Sequence, residues 1–243
     1  MKDFHVALTE RIFERLGLGP VQIAPPLEKP PSFMKIAEYL GIDLVFDVGA
    51  NRGQFAKKLI ENDFGGRIVS FEPTLKAHAQ LVEAARTFDN WTVHPRTAIG
   101  EEHCKLQINV AGNNGQSSSF LDMGELHAQS APRSRYIDIE EVDVTTIDAI
   151  FDEYVKSTSK TLLKIDVQGY EEQVLKGALQ ALKQIMAVKL ECSLVSLYEN
   201  DKTYEFYIEF LESLGFGLWD LEPGFREPET GRLLQFDAFF VRL

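Results

Sequence analysis

Residues 44–53 read Leu-Val-Phe-Asp-Val-Gly-Ala-Asn-Arg-Gly. A short apolar run ends in Asp47, and Gly49 and Gly53 follow at once. Gln54–Ile60 then has the pattern of a helix start. The order is strand, glycine turn, helix N-terminus. Glycine tolerates positive φ and lacks the Cβ that would keep a ligand off the backbone. A helix start offers unpaired N–H donors and a partial positive charge. Such a unit is suited to hold a small polar ligand at the carboxyl edge of a parallel sheet.

Outward from this stretch the pattern alternates between strand and helix. Strands are expected at Leu44–Val48, Arg67–Glu72, Trp91–Ala98, Leu162–Asp166, Ala187–Glu191, Gly217–Leu221 and Phe236–Val241. Helices are expected at Ser32–Leu40, Gln54–Asn62, Leu75–Arg86, Thr146–Val155, Glu171–Gly177 and Tyr204–Leu214. This alternation implies an α/β fold with a mostly parallel sheet covered on both faces. Lys105–Val110 and Ile137–Val144 read as two further strands. Between them, Gly112–Arg135 is rich in Gly, Asn and Ser, which marks a functional lid or a disordered stretch.

Upstream, Phe4, Leu8, Ile12 and Leu16 recur every four residues, one face of an amphipathic helix. Five prolines between Pro20 and Pro31 follow it as an extended linker. The chain is thus expected to divide into an N-terminal helix and linker, 1–34, and one domain, 35–243. The helix has three readings: packing on the domain, capping a pocket, or pairing two subunits into a homodimer.

With 25 basic and 37 acidic side chains the net charge is −12. That argues against nucleic acid or an anionic membrane as a partner held by general electrostatics. The chain shows no signal-peptide pattern and no apolar run of membrane-spanning length, about 20 residues, so the expected compartment is the cytoplasm. Cys104 and Cys192 have no metal-ligand spacing and are expected as buried free thiols.

The turn lacks the Gly-x-Gly-x-x-Gly of dinucleotide folds, because position 51 is Asn51. No Gly-x-x-x-x-Gly-Lys loop occurs either. Glu72, in Ser70-Phe-Glu-Pro73, ends the second strand 23 positions after Gly49, where a carboxylate can accept bonds from both ribose hydroxyls. Adenosine without pyrophosphate fits this pair, as in S-adenosyl-L-methionine. Its amino and carboxylate groups suit the Gly49–Gly53 turn, with Asp47 anchoring the turn or reaching the amino group.

These residues, with Lys164-Ile-Asp-Val-Gln-Gly-Tyr-Glu171, resemble the FkbM family of S-adenosylmethionine-dependent methyltransferases from about Val45 to the C-terminus. The family's first motif resembles Val45–Gly53 and its second Ser70–Pro73. Ala98-Ile-Gly100, Ser117–Phe120 and Val144–Asp148 are similar to further family segments, with Ile147 where the family has Leu. The resemblance implies a class I methyltransferase (Rossmann-like) fold, a seven-stranded sheet with one antiparallel strand near its edge. It implies O-methylation of a hydroxyl on a sugar or natural-product (secondary metabolite) acceptor. Carried over motif by motif, it implies cofactor contacts from Asp47, Gly49, Ala50, Asn51, Gly53, Phe71, Glu72, Pro73, Ala98, Ser119 and Asp166.

An alcohol is a poor nucleophile until its proton leaves, so methyl transfer needs alignment and a base or a metal. Asp166, at the carboxyl end of a buried strand, is the leading catalytic candidate. Glu191 ends the next strand at the same edge, and the two would share base and hydrogen-bonding roles or bind Mg²⁺ through oxygen. Glu171 is expected in the first turn of its helix as a structural charge, and Asp237 at the periphery. His127, in the irregular segment, is a candidate base brought in by closure of that segment. Arg133 and Arg135 would grip an anionic group on the acceptor or form a solvated patch. Trp219, Phe225 and Phe236 would fill the core or line the acceptor pocket. A non-catalytic S-adenosylmethionine-binding or scaffold protein of the same fold is the alternative, and the presence of both carboxylates argues against it.

Overall fold

The computed structural model describes residues 33–243. The helix expected over residues 4–16 and the proline-rich linker lie outside them. Helix α1 (Phe33–Leu40) precedes β1 (Leu44–Val48), α2 (Gln54–Glu61), β2 (Arg67–Phe71), α3 (Leu75–Ala85) and β3 (Trp91–Val93). Then come β4 (Ala98–Ile99), β5 (Cys104–Ala111), α4 (Glu125–Ser130), β6 (Tyr136–Thr145), α5 (Ile147–Tyr154) and β7 (Thr161–Ile165). The chain ends with α6 (Glu171–Lys176), β8 (Ala187–Ser193), α7 (Tyr204–Ser213), β9 (Phe216–Pro223) and β10 (Gln235–Arg242). Ala37–Leu243 is one compact unit, and both sheets belong to it.

The large sheet has seven strands in the order β3-β2-β1-β7-β8-β10-β9. Strands β3, β2, β1, β7 and β8 are parallel, and β10 runs antiparallel to both its neighbours. This is the class I methyltransferase topology. Strand order reverses between β1 and β7, so their carboxyl ends flank the crevice where such sheets bind ligands.

Side chains alternate between the two faces along each strand. One face carries Leu44, Phe46, Val48, Val69, Phe71, Leu163, Ile165, Val188 and Leu190. They form one core with Ile147, Ile150 and Phe151 of α5, Val174 and Leu175 of α6, and Tyr207 and Leu211 of α7. The opposite face carries Val45, Asp47, Ile68, Ser70, Leu162, Lys164 and Lys189, all buried. Strand β1 is therefore buried at every position, which explains its unbroken apolar run apart from Asp47.

One expected element divides. The strand anticipated over Trp91–Ala98 is two strands in two sheets. Pro95 has no N–H to give a ladder, and the chain leaves the large sheet after Val93. Strand β4 then pairs with β6 in a second sheet, ordered β4-β6-β5. Strands β5 and β6 form a long antiparallel hairpin, and Ala98, Ile108, Val142 and Val144 make its small core. Both cysteines are free thiols; Cys192 is buried, but Cys104 is only partly so, a correction to the expected burial of both.

Helix α6 meets the small sheet at a glycine. Gly177 ends α6, and a Cβ there would lie 1.9 Å from the carbonyl oxygen of Gly100. We expect Gly177→Ala to cost about 1–3 kcal/mol through forced backbone displacement. Gly65→Ala, where a Cβ meets open space, is expected to stay within about 0.5 kcal/mol. Urea unfolding of the two variants measures the difference; equal midpoints would remove Gly177 as a close contact between α6 and the small sheet.

Candidate active site

Gly49 and Gly53 both take left-handed backbone, at φ 74° and 79°. A Cβ on Gly49 would lie 1.8 Å from the carbonyl oxygen of Asp166, and one on Gly53 would lie 2.4 Å from the Trp91 ring. Any other residue would push the turn off the sheet. The Phe71 carbonyl accepts from Gly49 N at 3.1 Å and Ala50 N at 2.9 Å. The Phe71 side chain itself lies in the core against Phe46, His94 and Tyr154. Its expected ligand contact is thus replaced by a backbone role. Helix α2 starts after Gly53 with no side-chain cap, and a helix start carries the partial positive charge that suits an anion.

Glu72 is 5% exposed. One oxygen accepts from Asn51 N at 2.8 Å; the other accepts from Thr74 N at 2.9 Å and Thr74 Oγ1 at 2.5 Å. Burial raises its pKa above the ordinary value, against the pull of these bonds. Three of roughly four lone-pair positions already face the protein's own donors. A ribose has one position to take, and a second only by competing with the turn. Pro73 lies beside it, its carbonyl held by Arg96 at 3.0 Å.

Asp47 is fully buried. Ser70 Oγ donates to its Oδ2 at 3.2 Å, and Trp91 Nε1 donates to Ser70 Oγ at 2.9 Å. Lys164 Nζ stands 3.1 Å from its Oδ1 and 3.6 Å from Asp166 Oδ2. The same ammonium donates to the Gly49 carbonyl at 3.0 Å and the Val48 carbonyl at 3.3 Å. Burial works against the Lys164 charge, yet the Asp47 and Asp166 carboxylates outweigh it and hold its pKa above the ordinary value. Asp47 anchors the turn through this lysine, the first of the two roles expected of it. Its Oδ1 accepts no well-aligned hydrogen bond.

At the carboxyl edge of the sheet stand Asp166, whose side chain is 37% exposed, and Glu191. Between them lies a side chain that the sequence reading passed over. Gln168 Nε2 donates to Asp166 Oδ1 at 2.8 Å and to Glu191 Oε2 at 2.7 Å. Gln235 Nε2 donates to the same Glu191 oxygen at 3.0 Å. Burial raises the Glu191 pKa well above its ordinary value, and the Asp166, Glu171 and Asp237 carboxylates add to it. Asp237 pairs with Lys189 and faces Glu191 across the β8–β10 ladder, so it is nearer the site than expected. The Mg²⁺ site expected between Asp166 and Glu191 does not fit: an amide NH₂ already points at both carboxylates, where a hard cation needs oxygens. Among the described residues no group of three or more His, Cys, Asp or Glu has metal-holding geometry.

Residues 112–135 are ordered around α4 and a short 3₁₀ turn, Pro132–Ser134. Asn51 Nδ2 donates to the Asn114 carbonyl at 3.1 Å, and Ser119 Oγ donates to the Gln168 carbonyl at 2.6 Å. The segment therefore touches both the Gly49–Gly53 turn and the turn that follows Asp166. His127 is not a mobile base. It is 3% exposed, packed against Tyr198 and Phe225, and burial lowers its pKa. Ala98 is buried in the small sheet's core, away from the role expected of it. Arg133 and Arg135 are exposed. Phe225 belongs to the apolar cluster with Leu197, Tyr198 and Leu234, Phe236 is in the main core, and Trp219 is half exposed.

The methyltransferase FkbM domain model matches residues 47–218, more than half of the chain. The chain belongs to the FkbM methyltransferase family. It is an S-adenosylmethionine-dependent methyltransferase. No curated protein matches it in sequence. Among solved structures it is similar to an rRNA methylase of Streptococcus thermophilus, at 9% identity and TM-score 0.45, covering 86% of this chain and 96% of that one. A TehB-like SAM-dependent methyltransferase of Corynebacterium glutamicum gives 10% identity and TM-score 0.41, over 98% and 97% of the two chains. The mitomycin 7-O-methyltransferase gives 10% and 0.45, over 84% of this chain and 50% of that one. The residues of the FkbM chain fit the cofactor: an uncapped helix start, two left-handed glycines, an Asp47 oxygen short of a hydrogen bond, and a carboxylate at the end of β2. No described helix is long and apolar enough to cross a membrane.

Two outcomes follow from the charges. Lys164→Met leaves Asp47 buried without its cation and is expected to cost about 3–5 kcal/mol in denaturant unfolding; a loss below about 1 kcal/mol would contradict this. Glu171 is buried, with its Oε1 accepting from Val167 N at 3.0 Å, and burial raises its pKa from 4.5 to about 7. The folded state then holds the proton more tightly than the unfolded one. Stability from this group is full below pH 4.5 and is lost as pH rises to about 7. Glu171→Gln is expected to gain on the wild type by about 2–3 kcal/mol between pH 5 and 8. Thermal melts across that range report it, and parallel curves would rule it out.

Proposed function

We propose that the chain moves the methyl group of S-adenosylmethionine onto a hydroxyl of a sugar or secondary-metabolite acceptor in the cytoplasm. The observation that carries this reading is the contact between Gly49 and Asp166. The cofactor turn rests on the backbone of the residue whose carboxylate faces the acceptor edge, so donor seat and base are in direct backbone contact. Bound there, the sulfonium supplies an electrophile already activated by its own charge.

The protein's part is alignment, exclusion of water and removal of one proton. Asp166 suits the last role better than Glu191. Glu191 Oε2 is taken by two amides, whereas Asp166 keeps a partly exposed carboxylate with one amide on Oδ1 and Lys164 3.6 Å from Oδ2. Asp166 accepts the hydroxyl proton as the oxygen attacks. Glu191 holds Gln168 and Gln235. The segment 112–135 covers the edge and excludes water. A net charge of −12 supports a small neutral acceptor over a nucleic acid.

Calorimetry with S-adenosylmethionine and S-adenosylhomocysteine is expected to show binding of both. Glu72→Ala is expected to weaken it by about 2 kcal/mol, roughly 30-fold, for lost charged hydrogen bonds. Unchanged affinity would move the ribose elsewhere. Asp166→Asn is expected to lower transfer of labelled methyl onto a panel of glycosides and polyols by about 10²–10⁴-fold, with cofactor affinity little changed. Full turnover in that variant would falsify its role as base.

A further inference from the structure

Gln168 has left-handed backbone, at φ 57°, and Gly169 follows at φ 97°. A side chain at such a position is strained, and glycine would take it freely. The turn itself therefore gives no reason for a glutamine. Its contacts do. Besides the bonds to Asp166 and Glu191, its Oε1 accepts from Tyr198 OH at 2.7 Å, and its backbone carbonyl accepts from Ser119 Oγ. Both N–H bonds of the amide, its oxygen and its carbonyl all have partners.

The partners dictate the group. Asp166 and Glu191 both need a donor, and Tyr198 donates, so the bridging side chain must donate twice and accept once. An ionised carboxylate at 168 would donate nothing and face two others at under about 3 Å. Asparagine is one methylene shorter. An alkyl side chain would leave the carboxylates and the buried Tyr198 hydroxyl without this partner.

We infer that Gln168 is the positioning residue of the acceptor site. Its amide fixes the Asp166 carboxylate beside the cofactor turn, and its two oxygens hold Tyr198 and the Ser119 segment over the same edge. The inference rests on Asp166 being the base. It makes one side chain the junction of base, cofactor turn and cover. Met123 and Tyr198 form an isolated β-bridge, and Gly124 N and Glu199 N bond to Leu197 and Asp122 carbonyls at 2.8 Å. The Tyr198 latch therefore holds a two-stranded contact as well as a ring.

Gln168→Gly tests this, because it relaxes the backbone and removes only the amide. In ¹⁵N-labelled wild-type protein, the side-chain NH₂ pair missing from the Gln168→Gly spectrum belongs to Gln168. Its protons are expected downfield, exchanging at least about tenfold more slowly than a solvated amide. Asp166→Asn is expected to move one of the pair and Glu191→Gln the other. Two protons at solvated positions, unmoved by either variant, would overturn the bridge. By hydrogen-exchange mass spectrometry, peptides holding the Gly124 and Glu199 amides beside Tyr198 are expected to exchange at least about tenfold faster in Gln168→Gly, which keeps the backbone carbonyl that holds Ser119. Unchanged exchange would overturn the latch. If Gln168→Gly does not fold, Tyr198→Phe deletes the phenol alone. It is expected to speed the same peptides while the amide pair stays protected, and unchanged peptides would again overturn the latch. Failure of the wild type to bind S-adenosylhomocysteine would end the methyltransferase reading and leave both readouts on Gln168 standing.

Discussion

A lysine ammonium held out of water is the constraint on which the site is built. Removing such a charge from solvent is costly unless partners surround it. Lys164 has two carboxylates and two carbonyls, and each comes from a part that must be held still. Asp47 is within β1. The Val48 and Gly49 carbonyls are the end of β1 and the start of its turn. Asp166 follows β7. Burying one cation thus ties the strand end, the glycine turn and the acceptor-side carboxylate into one arrangement. The polar path runs further, from Trp91 through Ser70 and Asp47 to Lys164, then by Asp166 and Gln168 to Glu191 and Gln235.

This arrangement also sorts the acids. Five carboxylates, at positions 47, 166, 171, 191 and 237, gather near two lysines, 164 and 189. Charge balance alone cannot keep all of them ionised. Glu171 and Glu191, deepest among like charges, have raised pKa values. Asp47 and Asp237 each have a lysine. Asp166 keeps a partly exposed side chain, the feature on which its proposed role as base rests.

Much of this was legible in the sequence. Period-two apolar runs joined by helical patterns gave the order of the elements. Gly49 and Gly53 gave the turn, because nothing but glycine fits there. Asp166 falls just past the end of β7 as expected, whereas β8 continues two residues beyond Glu191, the expected strand end, to Ser193. What escaped was whatever depends on a side chain's direction or on a contact across the chain. Gln168 stands inside the Lys164–Glu171 motif, but its role depends on a left-handed φ and on contacts with Glu191 and Tyr198 that no local spacing displays. His127 was read as mobile because its segment is polar, yet Tyr198 and Phe225, far along the chain, enclose it. The division of Trp91–Ala98 was signalled by Pro95 and given too little weight. Mg²⁺ was inferred from two carboxylates without the amide between them.

The β5–β6 hairpin stands apart from the seven-stranded sheet, and residues 112–135 are a loop of that hairpin. The wall over that sheet's carboxyl edge is thus hung from a separate frame, joined to the large-sheet half through Asn114, Ser119, Asp122 and Gly124 among the hydrogen bonds described above. Its length and chemistry are free to change without disturbing the register of any strand that holds the methyl donor. On the proposed reading the architecture is a fixed vice with an exchangeable jaw: the donor seat stays while this one insertion shapes the acceptor side.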